Sequence, residues 1–379
     1  MEFRFSAADE EFRSRVRAFM DGWTDEDGQV PHERFDAVEK EMAAQKWLTV
    51  AWPTEYGGGG ASPLQQLIFK EECWRVGLTL DSQGVNLLGP ALMVHGTEEQ
   101  KREHLPRIAS GEVRWAQGFS EPGAGSDLAS LQTRAVRDGD DYIINGQKIW
   151  TSGAHLSDWI HLLARTDPEA PKHRGISYFM INLRSPGITI RPLIQLTGVH
   201  GFNEVFFDDV RVPQRNMISE ENRGWYAATT TLDFERSGIE RNLVAQRDWR
   251  RLYEHVRAIG PDFATGRSGH WRNRMADLRI EVEVGQWIAR RVAWMQGRGL
   301  VPNYESSMSK TYNSEVGQRL AEFGVSLLGL PGQIREPDVE PGDTVAFRYL
   351  DARRLTVGQG TSEINRNVIA TRGLGLPRG

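Results

Sequence analysis

The sequence has little of three features that would restrict its location. It contains one cysteine, Cys73, in 379 residues, so an internal disulfide is impossible, as is usual in a reducing compartment. No apolar run approaches the ~20 residues that a membrane-spanning helix needs. Residues Met1–Phe5 lack the basic-then-apolar profile of a signal peptide. We therefore expect a cytoplasmic protein that does not bind a membrane.

The chain also lacks a strong charge excess and a metal-ligand pattern. Its 46 basic and 51 acidic residues give a net charge of −5, which offers no reason to expect nucleic acid as a partner. The nine histidines do not cluster with cysteine or acidic residues, so no metal site is expected. The length allows two or three domains with a large core.

A glycine-rich segment is the most unusual local feature of the sequence. Residues 117–126 read Gln-Gly-Phe-Ser-Glu-Pro-Gly-Ala-Gly-Ser, a density of backbone breakers that excludes a regular helix or strand. The segment predicts a shaped loop whose N–H groups and hydroxyls suit an anionic or polar ligand. Composition alone leaves an ordinary surface turn as the alternative.

The periodicity of apolar residues changes twice along the chain. Residues 1–112 read as helices, starting with a capping box at Ser6–Asp9. Residues 113–213 read as short strands typical of a small barrel or sandwich, and Asn145-Gly146 predicts a hairpin turn. From residue 214 onward four helices are expected, at roughly 222–258, 270–297, 303–329 and 361–372, which favour an antiparallel bundle.

The glycine-rich segment resembles the signature of the acyl-CoA dehydrogenase family, flavoenzymes that introduce a double bond between Cα and Cβ of an acyl thioester. The resemblance continues in the family's order through Asn145–Ser152, Phe207–Pro213 and Gly360–Ile364. It implies an α+β multidomain fold with an N-terminal helical domain (1–112), a middle β-barrel (113–213) and a C-terminal four-helix bundle (214–379).

The resemblance also implies FAD bound against the middle domain. Phe119 and Ser120 would contact the flavin on one side, Trp150 would stack on it, and Ser126 would also bind the CoA portion of the substrate. The implied cofactor-binding residues are Gln117, Phe119, Ser120, Gly125, Ser126, Trp150, Thr151, Ser152, Thr361 and Glu363. For Trp150 core packing is the alternative, and Thr361 and Glu363 could form a local helix cap.

The catalytic base is where the sequence departs from many family members. They carry a glutamate just before the Gly-Thr of the C-terminal motif, whereas Gln359 stands here, and a neutral amide cannot accept a proton. The backbone N–H of Gln359 could still donate to the thioester oxygen. A different carboxylate is therefore needed.

A second location for the base exists in the family. Isovaleryl and long-chain members place it in a Glu-Arg pair, which corresponds to Glu235 here. Helical spacing puts Glu235 on an apolar face, where burial would raise its pKa. A salt bridge of Glu235 with Arg241 or Arg236 is the alternative. By resemblance, Asp233 and Arg236 would contact the substrate.

Two motifs that normally lend FAD contacts to a neighbouring subunit are altered. Arg257–Phe263 does not match the expected Arg-x-x-Phe-Gly, and Ser326–Gly332 lacks the glutamine that usually precedes a Gly-Gly turn. Either a homodimer or homotetramer tolerates these changes, or a related subunit completes the site in a heterotetramer, as in the mixed tetramers of actinobacterial steroid-degrading relatives.

The leading hypothesis is an FAD-dependent acyl-CoA dehydrogenase that uses Glu235. The position of the base favours a branched, long or ring-bearing acyl group, and the resemblance implies an electron-transfer flavoprotein as acceptor. Two alternatives stay open: a non-catalytic or partner-dependent subunit of a heteromeric dehydrogenase, and a flavin oxidase or monooxygenase on the same fold.

Overall fold

The structure is a computed structural model. It describes residues 5–80, 83–235, 239–259, 268–334 and 344–377. Contacts divide the chain into two compact units. We call them the sheet unit, formed by Asp36–Gly60 and Leu80–Glu235, and the bundle unit, formed by Met1–Phe35, Ala61–Thr79 and Arg236–Gly379.

An eight-stranded sheet forms the centre of the sheet unit. Its strands are β1 Trp115–Gly118, β2 Arg134–Asp138, β3 Asp141–Lys148, β4 Trp159–Arg165, β5 Ile176–Asn182, β6 Ile188–Ile194, β7 His200–Pro213 and β8 Met217–Ile218. The order is β6-β7-β3-β2-β4-β5-β8, and β1 pairs in parallel with β4. Most pairs are antiparallel, as the short strand-and-turn pattern of the sequence predicts.

Both faces of the central strands are buried, which explains their nearly continuous apolar sequence. Leu162 and Phe179 belong to a cluster on one face, whereas Leu163 and Tyr178 belong to a cluster on the other. Successive side chains of a strand point to opposite faces, so β4 and β5 contribute to two cores at once. The four helices assigned mainly to this unit are α2 Phe35–Ala44, α4 Gly89–His95, α5 Glu98–Ala109 and α6 Gly224–Glu235.

Seven α-helices lie in the described part of the bundle unit. They are α1 Ala7–Asp21, α3 Pro63–Arg75, α7 Ile239–Ile259, α8 Ser268–Gly297, α9 Tyr304–Leu328, α10 Val345–Asp351 and α11 Ser362–Val368. Leu278, Val282, Val316, Leu320 and Phe323 form the centre of a buried cluster between the long helices. Among the described residues, no helix combines the length and the apolar character that crossing a bilayer requires.

A buried carboxylate ties the first helices of the bundle unit together. Glu72 on α3 accepts hydrogen bonds from Arg13 and Arg17 of α1 and from Arg75 of its own helix, at 2.8–3.0 Å. Burial by itself raises the pKa of Glu72, but these hydrogen bonds outweigh it and lower the pKa to about 2. Glu72 therefore stays ionised, and its hydrogen bonds link α1 to α3.

The predicted fold class is confirmed, with helices before and after a central sheet. The capping box at Ser6 is present, because Ser6 and Asp9 exchange hydrogen bonds at the start of α1. The predicted helix at 222–258 corresponds to α6 and α7, and residues 236–238 between them lie outside the described residues. The division at residues 112 and 213 stays a prediction.

The predicted hairpin at Asn145-Gly146 is wrong. Strand β3 runs through both residues, and they form an irregularity in its pairing with β7. The turn lies instead at Gly139, between β2 and β3, with φ of +64°. Gly146 serves close packing, since a Cβ there would lie 2.7 Å from Cα of Thr133. Tertiary contact rather than a turn requires the glycine.

The start of α6 lies against the backbone of β5, and we expect this contact to be intolerant of a side chain. A Cβ at Gly224 would lie 2.4 Å from the backbone C of Ser177 and N of Tyr178. Overpacking of this kind costs about 1–3 kcal/mol, so Gly224→Ala should lower the melting temperature by several degrees. Gly297→Ala is the matched control, because a Cβ there meets no atom within 4 Å. Equal melting temperatures of the two variants would contradict this packing.

Candidate active site

Two sequence segments predicted to contact a cofactor meet in the sheet unit. The backbone N–H of Ile149 donates to the carbonyl oxygen of Ser120 at 2.9 Å. This hydrogen bond joins the glycine-rich loop that follows β1 to the segment that follows β3. The bond places Ser120 beside the start of the Trp150–Ser152 segment, although the two segments are about thirty residues apart in sequence. Gln117 and Phe119 lie within three residues of Ser120 along the chain.

A buried ion pair supports this junction from within. The Lys148 ammonium lies 2.8 Å from the Glu121 carboxylate and also donates to the carbonyl oxygen of Phe119 at 3.1 Å. Glu121 accepts two further bonds from the backbone N–H groups of Gln132 and Thr133, at 2.6 and 2.9 Å. One carboxylate thus holds the glycine-rich loop, β3 and the segment before β2.

Both partners of this pair are ionised at neutral pH. Burial lowers the pKa of Lys148 to about 8, against the opposing attraction of Glu121. Burial by itself would raise the pKa of Glu121, but the Lys148 charge and the hydrogen bonds from Lys148, Thr133 and Gln132 hold that pKa below its ordinary value. The hydrogen bonds among Lys148, Glu121 and the backbone N–H donors offset the free-energy cost of burying two charges.

Trp150 has an unusual backbone conformation and an exposed ring. Its φ is +59°, in the left-handed region that bulky residues rarely adopt. Its side chain is 58 % exposed and contacts the edge of Phe202, with ring centroids 6.0 Å apart. The indole of Trp150 is therefore available to a flat ligand in this chain and contributes little to the core.

Several polar atoms near the junction are buried without a partner. Among the described residues, Nε2 of Gln117 and Oγ1 of Thr151 make no hydrogen bond, and neither does Nε2 of His161. His161 pairs in register with Gln117 across β1 and β4. Burial lowers the pKa of His161 to about 3, so its imidazole is neutral. Unpaired buried polar atoms of this kind are found where a structure binds a polar ligand, an ion or water.

The glycine-rich loop lies beside a cleft of about 480 Å³. Its lining includes Glu121, Pro122, Gly123, Ala124, Gln132 and Gly146. Gly125 and Ser126, predicted to bind cofactor and in the case of Ser126 also substrate, follow directly and are exposed. A Cβ at Gly123 or Gly125 would meet no atom within 4 Å, so the backbone here is open to a ligand.

The C-terminal motif lies in the bundle unit. Gln359 has φ of +60°, and in the part of the chain that the structure describes its N–H donates to no protein acceptor. Oγ1 of Thr361 accepts from the N–H of Ile364 at 3.2 Å, so Thr361 is the N-cap of α11. Hydrogen bonds from its own N–H and from Thr361 lower the pKa of the exposed Glu363. The predicted local cap is therefore present.

The residues predicted as catalytic base and substrate contacts lie at or just beyond the end of α6, where the described residues stop. Glu235 is the last residue of α6, and Asp233 lies one half-turn earlier. Their side chains, and all of Arg236, are outside the described residues. Their roles therefore stay predictions.

Sequence reasoning missed the polar residues that hold the junction. Glu121 and Lys148 both stand inside family motifs, but neither was assigned a role. The available signal was that each of the two motifs, residues 117–126 and 145–152, contains a single ionisable residue. Asn203, which binds the backbone of Thr151, gave no signal, because it stands in a polar stretch before β7 becomes apolar.

Comparison with known proteins agrees with this architecture. Models of the acyl-CoA dehydrogenase N-terminal, middle and C-terminal domains match residues 6–112, 116–210 and 222–374. The chain is 38 % identical to the acyl-CoA dehydrogenase IpdE1 of Mycobacterium tuberculosis, over 97 % of this chain and 98 % of the relative.

Two solved structures are similar over their whole length. The Tcur3481-Tcur3483 steroid ACAD matches with a TM-score of 0.89 and 35 % identity, covering 100 % of both chains. The ChsE4-ChsE5 complex from Mycobacterium tuberculosis matches with a TM-score of 0.88 and 32 % identity, again covering 100 % of both. The chain belongs to the acyl-CoA dehydrogenase family, a family of flavoprotein oxidoreductases.

We expect the Glu121–Lys148 pair to be required for the stability of the sheet unit. Removing one partner leaves a buried, unpaired charge, so Glu121→Gln and Lys148→Met should each lower the free energy of unfolding by about 3 kcal/mol or more. The double variant should lose less than the sum. Chemical denaturation followed by tryptophan fluorescence measures these differences.

The matched control is the exposed pair of Lys172 and Asp127, whose charged atoms lie 2.6 Å apart. Lys172→Met should leave the unfolding midpoint unchanged, because solvent screens exposed pairs. Losses that are additive in the Glu121/Lys148 double variant would contradict the coupling of the two buried charges.

Proposed function

We propose that this chain catalyses the FAD-dependent α,β-dehydrogenation of an acyl-CoA thioester to a 2-enoyl-CoA. The observation that carries the proposal is the junction of the glycine-rich loop with the Trp150–Ser152 segment, closed by the Ile149–Ser120 hydrogen bond. FAD bound at this junction would accept the β-hydride, which no protein side chain can do.

The residues at the junction fit a flavin. The exposed Trp150 ring offers a flat surface, and the partly buried Ser120 and Ser152 offer hydroxyls in the two joined segments. The unpartnered Nε2 of Gln117 is a donor suited to the carbonyl or ring-nitrogen acceptors of a flavin. The strain at Trp150 is of the kind that structures keep at ligand sites. The Phe119 ring is buried and packs edge-on against His161 and Tyr178.

We assign the removal of the α-proton of the substrate to Glu235. Gln359 has no basic atom. The carboxylate at the end of α6 corresponds to the alternative base position of the family and is therefore the candidate base. The unsatisfied N–H of Gln359 would donate to the thioester oxygen as enolate charge develops there. Asp233 and Arg236 would contact the acyl part of the substrate.

The CoA portion is assigned to the exposed turn at Gly125 and Ser126. The open backbone and the exposed Ser126 hydroxyl suit a polar chain laid along the loop. Thr361 and Glu363 remain candidates for FAD contacts in addition to their capping role. An electron-transfer flavoprotein is the proposed physiological acceptor.

A bulky, ring-bearing acyl group is the proposed substrate class. One of the similar solved structures carries the description steroid ACAD, and a base on the helix goes with branched, long or ring-bearing acyl groups in the family. Among steroid-derived, branched and straight-chain thioesters, we therefore expect the ring-bearing ones to reduce the flavin fastest.

The test is anaerobic mixing of the purified protein with a panel of acyl-CoA thioesters while flavin absorbance is recorded. Glu235→Gln should slow flavin bleaching by at least about a hundredfold, because loss of a general base typically costs that much or more. Glu240→Gln is the matched control, since the Glu240 carboxylate bonds Lys70 at 2.6 Å. This control should bleach at the rate of the unsubstituted chain.

Equal bleaching in Glu235→Gln and the unsubstituted chain would contradict the assignment of the base. Reoxidation of the reduced protein by oxygen without an added acceptor, at the rate of turnover, would point instead to an oxidase or monooxygenase.

The second candidate function is that of a partner-dependent subunit, in which a related subunit completes the flavin site. The altered motifs at Arg257–Phe263 and Ser326–Gly332 favour it, and two similar solved structures carry the names of two different chains. Residues 260–263 lie outside the described residues. In Ser326–Gly332, α9 ends at Leu328 and Gly329 follows with φ of +64°.

Flavin content distinguishes the two assemblies. If a partner completes the site, the chain expressed alone should retain well under one flavin per chain, and co-expression with a related subunit encoded beside it should restore binding. Full flavin content and activity of the chain alone would instead show that no related subunit is needed to complete the site.

A further inference from the structure

A fully buried asparagine anchors the segment that carries Trp150. The backbones of Asn203 and Thr151 bond each other in both directions at 3.0 Å, and the Asn203 side chain adds a third bond from Nδ2 to the Thr151 carbonyl oxygen at 3.0 Å. Thr151 follows directly on the left-handed Trp150. Asn203 therefore restrains the residue that directly follows Trp150.

The Asn203 amide can face only one way. The Thr151 carbonyl only accepts, so Nδ2 must point at it, and the second N–H of Nδ2 then points at Nδ1 of His155, 3.2 Å away. Nδ1 of His155 must therefore be the unprotonated nitrogen. On the other side, Oδ1 of Asn203 lies 2.8 Å from Nε2 of His200, which must carry its proton. The network assigns both tautomers.

The two imidazoles also stack on each other. Their ring centroids are 3.8 Å apart and the planes meet at 17°. Exposure of His155 leaves its ring open to solvent protons. Burial and then the neighbouring His200 lower the pKa of His155. A stack of this kind favours at most one positive charge.

We propose that Asn203, His155 and His200 form a clamp that positions the Trp150–Ser152 segment, and that a proton on Nδ1 of His155 releases it. That proton would oppose an N–H of Asn203. Rotation of the amide would relieve this conflict, but it would set Oδ1 against the Thr151 carbonyl oxygen. The rotated arrangement therefore loses the side-chain bond to Thr151. The consequence for the flavin rests on the function proposed above.

The other charged groups on the strands next to His155 contact other residues or lie at the far end of their strand. The short helix Ala154–Leu156 that carries it lies against β1, β6 and β7. Strand β1 has no ionisable residue, Arg191 of β6 lies over the Phe206 ring, and Glu204 of β7 bonds Gln147. The far end of β7 carries Asp208, Asp209 and Arg211. Among the described residues His200 is the titratable group that acts on His155.

The direction of the pH effect follows from the lowered pKa. The unfolded or released segment binds the proton more readily than the closed clamp does, so closure is favoured above the ordinary histidine pKa of about 6.5 and weakens as the pH falls below it. Flavin retention should fall in the same window.

The experiment measures segment opening and flavin release separately on the purified flavoprotein. Hydrogen–deuterium exchange of a peptide covering residues 149–155, corrected for the intrinsic pH dependence, reports the Thr151 and Gly153 amides. Flavin fluorescence reports release. Between pH 7.5 and pH 5.5 we expect both to rise about fivefold, as loss of one hydrogen bond implies.

Variants distinguish the clamp from general acid sensitivity. His155→Gln removes the titrating group and should reduce both pH effects to less than about twofold. His255→Gln, which removes an exposed histidine of α7 in the bundle unit, should keep them. Asn203→Asp, which cannot donate to Thr151, should release flavin quickly at pH 7.5. If Asn203→Asp does not fold, the comparison of His155→Gln with His255→Gln decides whether the clamp exists.

Equal acid effects in His155→Gln and the unsubstituted chain would overturn the clamp, as would exchange that does not depend on pH. Exchange that follows His155 while flavin release does not would support the clamp. It would also contradict the proposed contact of this segment with the flavin.

Discussion

The buried ion pair of Glu121 and Lys148 is the interaction on which the candidate site depends. A glycine-rich loop has many accessible conformations, and its own backbone cannot select one. Glu121 resolves this by accepting bonds from Lys148 and from the N–H groups of Gln132 and Thr133. Lys148 returns a bond to the Phe119 carbonyl, so the loop is fixed on both sides.

The fixed loop in turn places the second motif. Because Lys148 is the last residue of β3, the chain leaves the sheet beside Ser120, and the Ile149–Ser120 bond follows. The backbone then enters the left-handed conformation at Trp150, and Asn203 restrains the next residue. Two buried polar groups, one on each side of Trp150, thus offset the local strain and keep the indole exposed.

Much of the fold could be predicted from the sequence, and the exceptions share a cause. Helix starts such as Ser6 are local, and the structure has the expected capping box. Asn145-Gly146 was predicted as a turn because that signal is also local, but Gly146 is required by close contact with Thr133. Local propensity cannot detect a neighbour that the chain brings from thirteen residues away.

The sequence by itself determined the family, the order of helices and strands, and the absence of a carboxylate at Gln359. Each of these depends on residue identity and short-range spacing. Only the tertiary structure decided that Trp150 is exposed, that Glu121 and Lys148 form a pair, and that the amide of Asn203 faces Thr151. The reason is that a buried polar atom must find a partner, and the partner comes from whichever distant segment the fold brings within hydrogen-bonding distance.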